Sequence, residues 1–137
     1  MATSRKIKGD LAELKVLADL HEKGFGVSIP QSQNSRYDIV IDNNGTIERV
    51  QVKYSRSNGN CIGVKCNSTS LWGNKKYTEK EIEWLAVYDV VTDSCYYIPS
   101  HILGEGISYL SLWFSPPKNK TKDKFLLALD YQEIPKR

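Results

Sequence analysis

Residues 37–54, YDIVIDNNGTIERVQVKY, decide how the whole chain is read. Two β-branched runs flank Asn43-Asn44-Gly45. Asn-Gly between such runs predicts a hairpin with a two-residue type I′ turn, because both central positions need a positive φ. With Asn44 and Gly45 as those residues, Asn43 faces Thr46, and counting outward Asp38 faces Gln51. Lys53 lies two residues past Gln51, so the pleat puts it on the same side of the sheet. Directly opposed residues have Cβ atoms roughly 4.5–5.5 Å apart. A carboxylate, an amide oxygen and an ammonium therefore converge on one patch. A slip of one residue would send Gln51 and Lys53 to the other face, so the reading depends on the turn. The alternative is three polar residues on the wet face of a half-buried hairpin.

The 137 residues fit one domain, 1–137, with a real core. A net charge of +3 is compatible with a polyanionic partner without requiring one. No stretch approaches the roughly 20 apolar residues of a membrane span. MATSRKIKGD carries no signal-peptide core, so a cytoplasmic location is expected. Cys61, Cys66 and Cys95 lack metal or redox spacing and read as reduced thiols. His21 and His101 are the only histidines and lie far apart, which argues against a histidine nuclease or a zinc enzyme.

Residues 7–23 read as a helix, with Ile7, Leu11, Leu14 and Ala18 at helical spacing and Gly24 as the stop. Glu13 shares a face with Val16, Leu17 and Leu20. A carboxylate on an apolar face is costly unless it is paired. Glu13 either reaches water or a lysine at the rim, or points into a site. Residues 25–29 form an expected strand ended by Pro30. The polar run 31–36 holds Gln31, Gln33, Asn34, Ser35 and Arg36, and is either a solvated connector or a loop that touches phosphates and bases. After the hairpin, 55–60 is a turn with Arg56, and 61–65 a strand expected as third neighbour in a meander. Residues 67–77, a polar loop, combine Asn67, Ser68, Trp72, Lys75 and Lys76. Polar groups, one planar aromatic and two cations suit a nucleic-acid contact, though a solvated loop is equally compatible. Residues 84–91 are nearly all apolar and predict a strand buried on both faces. Residues 94–98 return as its partner, and Ser100 is placed to cap a short helical turn. The basic loop 115–124 carries Lys118 and Lys120, a phosphate rail or a solubilising segment. Residues 107–114 and 125–131 are the expected assembly seam.

Helix glutamate, strand aspartate, turn and Gln-x-Lys, in the stretches KGDLAELKVLADLHEKGF, YDIVIDNNG and VQVKY, resemble the PD-(D/E)XK nuclease superfamily, in particular its small homing endonucleases. The resemblance implies an α/β fold, a central mixed β-sheet flanked by helices. It makes Asp38 the motif aspartate, Gln51 the Asp/Glu position, Lys53 the lysine and Glu13 the helix glutamate. It implies a site-specific double-stranded DNA endonuclease that uses Mg2+, or another hard cation such as Mn2+. Asp38, the Gln51 amide oxygen, the Val52 carbonyl and Glu13 are the ligands so implied. A homo-oligomer, dimer or tetramer, follows, since each DNA strand needs its own site. Two departures stand out: Tyr37 replaces the motif proline, and neutral Gln51 replaces an acid. The second leaves open a non-catalytic DNA-binding module on a decayed scaffold. A junction resolvase or restriction-type nuclease would share the same core.

Overall fold

The computed structural model describes residues 4–32, 34–70, 73–118 and 125–137, with the side chains of 69 and 70 excepted. The expected hairpin is its centre. β2 (Ile39–Asn43) and β3 (Thr46–Ser55) pair antiparallel with Asn43 opposite Thr46 and Ile39 opposite Val50. Asn44 and Gly45 take φ of 53° and 94°, the positive values the turn requires. The Gly45 N–H also donates to the Asp42 carboxylate at 2.6 Å.

β3 is the longest strand and organises the rest. β1 (Gly26–Ser28) is shorter than the expected 25–29 and pairs with β2. β7 (Trp84–Asp89) lies parallel to β3, and β8 (Ser94–Pro99) antiparallel to β7. The result is a mixed five-stranded sheet, β1-β2-β3-β7-β8. β7 is buried throughout, as its apolar run predicts. Trp84, Ala86 and Tyr88 point to one core, Leu85 and Val87 to another.

The first core lies under α1 (Arg5–Glu22), which Ser4 caps by accepting the Ile7 N–H at 3.2 Å. Ala12, Val16 and Leu20 are its buried face, packed on Ile39, Ile41, Val50 and Val52. Val16 and Leu20 belong to the apolar face that the sequence places beside Glu13. Of the apolar residues Ile7, Leu11, Leu14 and Ala18, Leu11 packs against this core while Ile7 and Leu14 face outward, 57% and 64% exposed.

The second face of the sheet is covered by strands rather than by a further α-helix. β4 (Cys61–Lys65), β9 (Tyr109–Trp113) and β10 (Leu126–Leu127) form a three-stranded sheet in the order β10-β9-β4. Ile62, Val64, Leu110 and Leu112 meet Leu85, Val87, Tyr96 and Ile98 there. β4 is thus not the third strand of a meander. The long edge of β3 is taken by apolar β7. Ser57 donates its N–H and hydroxyl to buried Asp89 at 2.8 and 2.9 Å, which turns the chain out of the first sheet. The polar run after β4 is also not a loop: β5 (Asn67–Ser70) and β6 (Gly73–Lys76) pair as a small hairpin. Ser100 begins the short 3-10 turn Ser100–Ile102 without capping it; Pro99 holds the cap position.

Candidate active site

β2 stops at Ile39 while β3 runs on to Ser55, so β3 overhangs its neighbour. Asp38 stands at the start of that overhang. Its N–H donates to the Val50 carbonyl at 2.9 Å, and its carboxylate accepts the Val52 N–H at 3.0 Å. The aspartate side chain therefore occupies the place that the next β2 peptide would have taken. In a strand, the N–H and C=O of one residue point to the same edge. The Val52 carbonyl consequently opens on the Asp38 side, past the end of the ladder. Its described partner is the Gln51 amide nitrogen at 3.4 Å, too long for a strong bond.

The pleat sends Val50 and Val52 into the helix-side core, and Gln51 and Lys53 to the other side. Gln51 is buried, so this is not a wet face. The Lys53 ammonium donates to the Asn67 carbonyl at 2.9 Å and lies 5.0 Å from the centroid of the Tyr77 ring. Glu13, half-buried beside the apolar face of α1, stands close enough to Asp38 to feel its charge.

The charges record this geometry. Burial raises the Asp38 carboxyl above the ordinary aspartate range, opposed by the Val52 N–H and by Lys53. Burial raises Glu13 as well, with Asp38 and Asp10 adding to it. Burial lowers Lys53, with Lys65 adding to that and Asp38 opposing it. Asp38 thus interacts with both Glu13 and Lys53, and burial works against the charged form of all three.

Among the described residues no group of three or more His, Cys, Asp or Glu is placed to hold a metal. A cation in the notch would rest on oxygens of mixed kind: the Asp38 carboxylate, the Val52 carbonyl, the Gln51 amide and, from across, Glu13. These are hard donors of the type Mg2+ and Mn2+ prefer. The poorly used Val52 carbonyl fits such an ion. Turning the Gln51 amide over would present its oxygen at the position its nitrogen now holds.

The other expected contact residues divide into two sets. Gln31 and Asn34 are exposed beside half-buried Ser35, Arg56 is exposed after β3, Lys75 and Lys76 are exposed on β6, and Lys118 is exposed after β9. Arg36 and Asn67 turn inward. Arg36 donates to Glu81 at 2.9 Å, to the Ser68 hydroxyl at 2.7 Å and to the Lys76 carbonyl at 3.0 Å. It ties the 31–36 segment to the β5–β6 hairpin. Gln33, Trp72 and Lys120 lie outside the described residues. The sequence reading missed Tyr77 as a neighbour of Lys53. No local signal marks it, because the contact exists only once β5 and β6 have paired.

No curated protein matches the sequence. Among solved structures, a bacterial homing endonuclease, I-Ssp6803I, has a similar fold, with a TM-score of 0.72 and 24% identity over 94% of this chain and 88% of that one. The sequence matches the PD-(D/E)XK endonuclease family over residues 3–134, and the chain belongs to that family.

Proposed function

We propose that this protein is a metal-dependent, site-specific endonuclease of double-stranded DNA, an intron-homing enzyme, with its active site in the β3 overhang. The observation that carries this reading is the convergence of Asp38, the open Val52 carbonyl and Lys53 at the end of β2, with Glu13 facing them. Asp38, Gln51, Val52 and Glu13 would hold a hard divalent cation, Mg2+ or Mn2+. Such an ion supplies Lewis-acid polarisation of the phosphate and a nucleophilic water at neutral pH.

The chain's own groups do the rest. The Val52 N–H fixes one Asp38 oxygen. The Lys53 ammonium opposes the negative charge that grows on the phosphate during in-line attack, in a site where burial strengthens the interaction. Glu13 orients or accepts a proton from water on the helix side. Phosphate oxygens are bound by Lys75 and Lys76 on β6 and by Lys118 and Arg56. Gln31, Asn34 and Ser35 would contact the bases. Two-fold assembly would bring one such site to each DNA strand. Tyr109, 62% exposed, and Leu129, 70% exposed, lie in the expected seam segments and support that arrangement.

The test is cleavage of duplexes carrying a target selected from a randomised library, with Mg2+ or EDTA, by wild type and Lys53→Ala. Breaks that need both Mg2+ and Lys53 are expected. Tight binding without breaks would favour the non-catalytic module that neutral Gln51 suggests. Preference for four-way junctions over linear duplex would point to a resolvase.

A further inference from the structure

Lys53 is held without being neutralised. Among the described residues it forms no ion pair with Asp38 or any other carboxylate. Its ammonium rests instead on the Asn67 carbonyl at 2.9 Å and 5.0 Å from the Tyr77 ring centroid. A carbonyl dipole and a π-face orient a cation but leave its charge available. A carboxylate partner in that position would offset the charge that a phosphate needs.

Both supports belong to the β5–β6 hairpin. Asn67 opens β5, opposite Lys76, and Tyr77 follows β6 directly, its N–H on the Cys66 carbonyl at 3.0 Å. Tyr77 is 3% exposed, and its ring also carries the Arg36 guanidinium, 4.1 Å from the centroid. Its hydroxyl is hydrogen-bonded to Ser68, which Arg36 holds as well. The Asn67 side chain carries a second oxygen on the same residue. That oxygen is buried, in a residue 8% exposed, and has no hydrogen-bond partner among the described residues. A buried acceptor without a donor is costly, and the nearby ammonium has three N–H groups to offer.

We propose that Tyr77 and Asn67 are positioning residues for Lys53, so that the β5–β6 hairpin sets where the lysine ammonium stands when DNA engages its exposed Lys75 and Lys76. This rests on the endonuclease reading above. It adds a link from the surface that meets the backbone to the group that meets the scissile phosphate. The hairpin is joined to the body through Arg36 and through the two residues that cradle Lys53, so a shift of the hairpin moves the cradle with it.

The experiment uses the full chain with 13C-labelled lysine, together with single-turnover cleavage and DNA affinity, for wild type, Tyr77→Phe, Tyr77→Leu and Asn67→Asp. In wild type and Tyr77→Phe the Lys53 ε-methylene should be ring-current shifted upfield, and Tyr77→Phe should cleave within about threefold of wild type. Tyr77→Leu should lose the shift and slow cleavage about tenfold or more, with the DNA Kd changed by less than about twofold. Asn67→Asp guards against a Tyr77→Leu chain that fails to fold. It places a carboxylate beside the ammonium, and should keep the melting temperature while slowing cleavage. An unshifted Lys53 methylene in wild type, or wild-type cleavage by Tyr77→Leu and Asn67→Asp, would overturn the proposal. Failure of the endonuclease reading looks different: wild type would then give no Mg2+-dependent breaks, or Lys53→Ala would cut as fast as wild type, whatever the methylene shift.

Discussion

Glu48 and Gln51 stand three residues apart on β3, on opposite faces, and both are buried. Around Glu48, 1% exposed, the polar groups are closed off. Its carboxylate accepts from the Arg137 guanidinium at 2.7 and 2.9 Å and from the Asn43 amide at 3.2 Å. Asn43 in turn donates to the Pro135 carbonyl at 2.9 Å and accepts the Arg137 N–H at 3.0 Å. Segment 132–137 is clamped onto the helix-side core, where Ile134 is buried. Around Gln51 the opposite holds. Asp38 has one firm backbone donor, the Val52 carbonyl is poorly used, and Lys53 is held by neutral groups. A satisfied buried charge fixes the fold; an unsatisfied one keeps free energy available for a ligand.

Substitutions should separate the two centres. The largest effect is expected at the open one. Asp38→Ala should reduce single-turnover cleavage about a hundredfold or more while the chain stays folded and binds DNA. Arg137→Ala should instead cost about 2–3 kcal/mol in urea unfolding, since it strands a buried carboxylate, and leave cleavage per folded molecule unchanged. A large loss of cleavage there, with stability intact, would break the comparison.

Asp38→Asn sharpens it. Asp38 binds its proton more tightly folded than unfolded, because burial raises its pKa. Its ionisation therefore works against the fold as pH rises from the unfolded value through the folded one. At neutral pH Asp38→Asn should melt higher than wild type yet be inactive. The gap should close as pH falls below the ordinary aspartate range, where both chains are neutral at that position. A lower melting temperature for the variant at neutral pH would mean that the site stabilises the fold. The smallest effect concerns Gln51→Glu, which should shift the divalent-ion dependence of cleavage to lower concentration by about tenfold or less, since a charged oxygen replaces a neutral one.

The notch was legible in the sequence because its parts are local. Asn44-Gly45 fixes the turn, the turn fixes the register, and the period of two fixes the faces of Asp38, Gln51 and Lys53. Glu13 was legible as a carboxylate at the edge of an apolar face. What was not legible depends on partners distant in the chain. β7 outcompetes β4 for the edge of β3, and β4 pairs instead with β9. Both choices are made by complementary surfaces that no local window contains. The Tyr77–Lys53 contact is of the same kind: it needs the β5–β6 pairing and Arg36, 41 residues before Tyr77, at once.

The proposed function requires the β3 overhang to attract a hard cation more strongly than other acidic places on the surface. The sharpest rival is the pocket lined by Asp19, Glu22, Asp93 and Glu133, in which Lys15 and Lys23 already pair with carboxylates. Titrating Mn2+ into 15N-labelled protein and following paramagnetic broadening of the amides tests this directly. Asp38, Val52 and Lys53 should broaden first, and Asp38→Ala should abolish their broadening. Broadening that begins around Asp19 and Asp93, and leaves Val52 sharp, would contradict that requirement.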